Sequence, residues 1–386
     1  MYKWVIIGGG IQGCCVAARL LGEKVEKEDL LIIDPHSEPM HSWRSLTEKI
    51  GMRYLRFPSV HHVDADPYSL NKYAQSNDYA EPFRGKYARP RLDMFNQHSL
   101  DAIDQVGVKQ CWKQGKVEGL TWNSGSWEVA VTSSHTIRAE RVVLAIGTNH
   151  VPYYPEWSLS LKGENENIVH HVFELEEPLP EGKSAIIVGG GMTAAHLAYT
   201  LSKRNPDQPV HLVKRHPFRV EDFDSDPGWL GPKYLRDYEK VNGYKERRKR
   251  IQEARNRGSI TRDLHVKLKR QLKEGNLLIN TDEINTAHLV DGSVELGLQN
   301  NESIRGDCLL LATGANADCP GKSWLQPLIN QLDLPCAPCG FPIVQPSLEW
   351  KQGLFAAGAL AELEIGPVAR NIAGARKAAE RIVHSA

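Results

Sequence analysis

The sequence carries no excess of either charge: 47 Lys and Arg face 47 Asp and Glu in 386 residues. No global field therefore draws the chain to nucleic acid or to an anionic membrane, and only a local patch could do so. Long hydrophobic runs are missing as well. No stretch approaches the ~18 consecutive apolar residues of a membrane-spanning helix, and the short run in MYKWVIIGGG lacks the flanks of a signal peptide, so a cytoplasmic location without membrane partners is expected. Cysteine is scarce and odd in number, seven scattered thiols that fit a reducing compartment better than a disulfide framework. Hydrophobic content of 41% and charged content of 24% exclude a disordered or collagenous chain. The length exceeds the roughly 250–300 residues at which single cores stop growing, so two or more domains are expected.

What is abundant is glycine in two particular places. Residues 2–7 read as a short buried strand that runs into Gly8-Gly9-Gly10-Ile11-Gln12-Gly13 and then a helical stretch over 14–21. Gly8, Gly10 and Gly13 set the GxGxxG spacing, and the next apolar strand ends in Asp34, about 20 residues further on. Glycines at that spacing permit a tight turn and close approach to a pyrophosphate at the helix N-terminus, while the acid meets the ribose hydroxyls. Ile11 and Gln12 sit inside the same cradle.

The pattern returns downstream. A strand over 184–188 leads into Gly189-Gly190-Gly191-Met192-Thr193-Ala194 and a second helix, and the following strand ends in Lys214-Arg215 where an NAD-selective site would carry an acid. Cations there pair with a 2′-phosphate, so NADPH is expected rather than NADH. Two dinucleotide folds in one chain imply a bound flavin, FAD, and a diffusible hydride donor. Strands over 141–148 and 307–314 each end in a small-residue turn, placing Gly147 and Gly314 where the chain nears a cofactor or crosses between domains. A last strand over 353–358 ends at Gly358, and a small-residue helix over 369–382 carries Asn371 near its start. The fold class read from this order is α/β, with two Rossmann-like domains, the second inserted into the first. Residues 1–155 and 310–386 form the flavin domain, and 156–309 the nicotinamide domain.

With those motifs, the chain resembles the two-dinucleotide-binding-domain flavoproteins and, among them, the class B flavin monooxygenases, nearest to the lysine and ornithine N-hydroxylating enzymes. The resemblance to the broad group spans nearly the whole chain through GGGIQG, AIGT, GGGMTA, LATG and FAAGALAELEIGP. It implies that Trp43 and the stretch Met52-Arg53-Tyr54-Leu55 line the flavin, with Arg53 standing where those enzymes carry Gln. Asp66-Pro67-Tyr68-Ser69-Leu70 and Pro90-Arg91-Leu92-Asp93-Met94-Phe95 look like two further family segments. The segment after Arg215, which supplies substrate contacts in the N-hydroxylases, differs here. The activity implied is NADPH-driven oxygenation of a small amine-type substrate by molecular oxygen through a C4a-hydroperoxyflavin, with no triad or metal.

Two other readings stand beside it. Cys336-Ala337-Pro338-Cys339 has redox spacing, which suits a pyridine nucleotide-disulfide oxidoreductase of the thioredoxin-reductase kind, although neither position where such enzymes keep their pair holds one here. A flavin-binding sensor without catalysis is the third. The basic stretch 233–273, with Lys245-Glu246-Arg247-Arg248-Lys249-Arg250, could meet an acidic protein partner, but its interspersed acids suit a solvated helix and no aromatic pattern marks it for nucleic acid. The His61-His62 and His170-His171 doublets point to opposite faces, and Asp222-Phe223-Asp224-Ser225-Asp226 lacks the Gly and distal Glu of a calcium loop, so no metal is expected.

Overall fold

The computed structural model describes residues 1–132, 136–148, 151–175 and 181–385. Strand β1 (Tyr2–Ile7) is central because four successive apolar residues, Trp4 to Ile7, are buried on both faces, as a parallel strand between helical layers requires. Helix α1 (Ile11–Gly22) follows directly from the glycine loop and leads to β2 (Leu30–Asp34), which pairs parallel to β1 with Trp4 opposite Leu30. After α2 (His41–Lys49), β3 (Trp112–Gln114) adds to the far side of β2, and β4 (Ile137–Leu144) pairs parallel to β1 on its other side. A hairpin of Val117–Asn123 and Ser126–Val131 hooks onto β4.

A second sheet is then laid down. It comprises β5 (Val169–His171), β6 (Ala185–Val188), β7 (Val210–Lys214), β8 (Leu277–Thr281) and β9 (Cys308–Leu311). The order is β8-β7-β6-β9-β5 and every pairing is parallel. Helix α3 (Met192–Arg204) connects β6 to β7, and α4 (Tyr244–Ala254) and α5 (Arg262–Glu274) precede β8. The chain returns through β10 (Glu349–Lys351) and β11 (Leu354–Ala356), and β11 pairs parallel with β4, so the first sheet reads β10-β11-β4-β1-β2-β3. The last helix, α6 (Ile372–His384), packs on α1.

This is the doubly dinucleotide-binding α/β architecture that the motifs implied. The two connections between the sheets run side by side as an antiparallel bridge, Pro152 with Ala315, and Tyr153 N donates to Gly314 O at 2.9 Å. Gly314 thus belongs to this double connection. Strand β9 joins the second sheet entire, two residues beyond position 309. Helix α6 begins at Ile372 rather than 369 because Pro367–Arg370 form a 3-10 turn and Asn371 Oδ1 accepts from Gly374 N at 2.9 Å, an N-cap.

Candidate active site

The first glycine loop works through what its glycines make room for. A Cβ on Gly8, whose φ is +105°, would lie 2.6 Å from Ala145 O, and one on Gly13 would lie 1.9 Å from Gly8 O. Gly13 therefore lets α1 close on the turn, while Gly10 faces open space where a side chain would fill the cradle. Asp34, at the tip of β2, accepts from Gly9 N at 2.7 Å and from His36 N at 2.9 Å, so its carboxylate is fixed at the mouth of the loop. Gln12 reaches the other way: its Nε2 donates to Ala369 O and Asn371 O, tying the start of α1 to the start of α6.

Beside this loop lies a cavity of about 610 Å³. Gly8, Gly10, Ile11, Gln12 and Asp34 line one end, and Trp43, Leu46 and Met52 form an apolar wall. Trp43 is held by its Nε1, which donates to Asn96 Oδ1 at 3.1 Å. Gly147, Gly358 and Asn371 line it from the return segments, and Thr193, from the first turn of α3, reaches it from the second sheet. Asp224 does so too. Arg53 does not line it: its guanidinium is exposed beside Glu81 at 3.8 Å and over the Tyr54 ring, and the neighbouring Met52 faces the cavity in its place.

Asp224 and its segment are what sequence reasoning missed, together with the two arginines that position them. Arg56 Nη2 donates to Glu221 O, Phe223 O and Ser259 Oγ, and Arg89 Nη2 donates to Asp222 O and Oδ1, both at 3.0 Å. Guanidiniums from the N-terminal part thus clasp backbone carbonyls of the inserted part, and burial pulls Arg56 below its ordinary pKa. The aspartate-rich run was visible in the sequence only as a failed calcium loop. A wider crevice of about 800 Å³ lies on the other side of the same run, lined by Tyr87, Trp229 and Tyr234, and contains neither glycine loop.

The second loop repeats the first. Gly189, at φ +150°, has Ala312 O 2.5 Å from a would-be Cβ, and Ala194 is buried against it. Gly191 faces Gly258, 3.5 Å from its would-be Cβ, and Met192 opens α3 against the second core. Of the two cations ending β7, Lys214 is 5% exposed; its ammonium donates to His216 O and to Thr281 Oγ1, and desolvation lowers its pKa. Arg215 is the exposed member.

Residues 2–380 match the family model described as pyridine nucleotide-disulphide oxidoreductase. The chain belongs to that family. Curated proteins give no match to the sequence of this family member. Among solved structures, it is similar to the FAD-bound cadaverine monooxygenase DfoA of Erwinia amylovora, with 19% identity, a TM-score of 0.77, and 100% of this chain and 94% of that one covered. The ornithine N-hydroxylase KtzI of Kutzneria sp. 744 gives 16% identity and a TM-score of 0.78, covering 100% and 98%. A thioredoxin reductase of Lactococcus lactis gives 12% and 0.59, covering 100% and 97%. At these identities the likeness establishes a shared fold.

Within this pyridine nucleotide-disulphide oxidoreductase, the remaining candidate features lie elsewhere. Cys336 and Cys339 are free thiols outside the cavity lining, the first half-buried with burial pushing its pKa up, the second exposed. In α4, Arg247 and Arg248 turn inward to ion pairs with Glu364 and Glu362, and Arg250 pairs with Glu246 at 3.2 Å. Among the described residues, no group of three or more His, Cys, Asp or Glu is arranged to hold a metal ion, and no helix is long and apolar enough to cross a membrane.

Proposed function

We propose that the chain is an FAD-dependent, NADPH-using monooxygenase acting on a small amine. The observation that carries this reading is the single cavity that gathers Gly10, Asp34 and Trp43 from one glycine fold with Thr193 and Asp224 from the other. The donor set fits the cofactor: open space at Gly10 leaves room for a pyrophosphate against the α1 N-terminus, and the Asp34 carboxylate can accept from ribose hydroxyls. When bound, FAD supplies hydride acceptance and reaction with oxygen. The residues of the chain do the rest. Trp43, Leu46 and Met52 would keep water from their apolar wall of the cavity, and Asp224 would offer a carboxylate to a protonated amine. Two of the amine-oxidising enzymes cited above share the fold over the full chain, which supports the substrate class.

In this account the flavin unit is residues 1–155 and the return segment after β9, and the nicotinamide unit runs from 156 through β9 at Leu311, two residues past the expected boundary at 309. Free thiols at all seven cysteines suit the cytoplasm. The test is oxygen uptake by the FAD-loaded protein with NADPH, screened over diamines, amino acids, thioethers and disulfides. Amine-stimulated uptake with stoichiometric hydroxylamine formation is expected. Disulfide reduction that disappears in Cys336→Ser would replace this reading with that of a disulfide reductase.

A further inference from the structure

Four guanidiniums gather between the second glycine loop and the cavity: Arg248, Arg255, Arg257 and Arg370. Arg248 and Arg370 share one carboxylate, Glu362, which is 1% exposed. Asp224 lies within electrostatic reach of Arg255. Among the described residues, neither Arg255 nor Arg257 forms a carboxylate ion pair within 4.0 Å. The charge of Arg370 disfavours Arg248, Arg255 and Arg257, and burial brings Arg255 and Arg370 down to about 10. Positive charge held this close, with too few acids to balance it, is costly unless an anion is to be met there.

The position of Arg257 names the anion. Its neighbour Gly258, at φ +67°, is the residue that Gly191 faces, 3.5 Å from a would-be Cβ, and His216 Cε1 is 3.7 Å from one on Gly190. The turn is pinned by Arg257 N donating to Arg255 O at 2.8 Å and Asn256 N donating to Asp224 O at 2.7 Å. The turn is therefore the wall opposite the glycine loop and the first turn of α3. In the other direction Arg257 feels the charge of Arg370, which lines the cavity. We propose that Arg257, seconded by Arg255, clamps the pyrophosphate of the nicotinamide dinucleotide against the second glycine loop, on the path from that loop to the flavin cavity. This rests on the reading of the second loop given under Proposed function. A guanidinium suits the task because its planar donors meet phosphate oxygens in pairs. Pyrophosphate is common to both nicotinamide dinucleotides, so this clamp does not select between them, whereas Arg215 at the end of β7 does.

Calorimetric titration of NADP⁺ and NAD⁺ into the FAD-loaded protein tests the assignment. Arg257→Ala should weaken both ligands by a similar factor, about tenfold to a hundredfold, as expected for loss of a charge-assisted contact. Arg215→Ala should weaken NADP⁺ alone. Arg257 is exposed, so the variant should fold, and an unchanged flavin spectrum and melting temperature would verify it. Wild-type affinity for both dinucleotides in Arg257→Ala overturns the clamp while leaving the second loop's role intact, as does a loss confined to NADP⁺. Failure of the wild-type protein to bind either one overturns the clamp and the loop reading together.

Discussion

At the scale of single residues, Asp34 and Asp224 line one cavity and are held there by different contacts. Asp34 is fixed by Gly9 N and His36 N, so Asp34→Ala should release FAD at least about tenfold more readily, measured as flavin retained through gel filtration, while the fold survives. Asp224→Asn should raise the KM for the amine and leave NADPH-driven flavin reduction unchanged. A pH dependence follows from histidines. Burial drives His62, His171 and His196 down to about 4 from an ordinary 6.5. The folded protein thus binds fewer protons than the unfolded chain between those values. Stability is full above about 6.5 and is lost as pH falls toward 4, by up to ~1.4 kcal/mol per pH unit for each histidine, which urea titrations across that window would reveal. A flat stability profile from pH 7 to 4 would contradict the burial of these rings.

At the scale of elements, both glycine loops were legible in the sequence because strand, loop and helix are contiguous and each glycine answers a local steric demand. Ile11 and Gln12 already belong to α1, since the helix starts as soon as Gly10 leaves the turn. Asp34 was legible for the same reason. Arg53 and Asp224 were not: which of two neighbouring side chains faces the cavity, and which aspartate of a run reaches it, depend on contacts made across the molecule. The clasp by Arg56 and Arg89 joins residues more than a hundred positions apart, and no spacing rule announces it. Arg56→Ala would remove one donor each from three carbonyls and from Ser259 Oγ, with Asp222 O keeping Arg89 and Phe223 O keeping Asn256, and a loss of about 1–3 kcal/mol in denaturant unfolding is expected. Gly191→Val should abolish nicotinamide binding, because the added side chain meets Gly258, and should leave FAD in place.

On the scale of the whole molecule, an inserted sheet and a sheet completed by the C-terminal strands bring the first glycine loop and the start of the helix after the second to one cavity. Thr193, from the helix that follows β6, and Asp224, from the segment after β7, line it together with Gly10, Asp34 and Trp43 of the first part. Cys336 and Cys339 stand outside that meeting place, which is why the disulfide chemistry in the family's name does not by itself describe this chain. The most direct test mixes FAD-loaded protein with NADPH or NADH in the absence of oxygen and follows the flavin absorbance. Rapid bleaching that is faster with NADPH, and that is lost in Gly191→Val while the bound flavin remains, is the predicted result. A protein that cannot be loaded with FAD, or a flavin that bleaches equally well in Gly191→Val, would contradict the account.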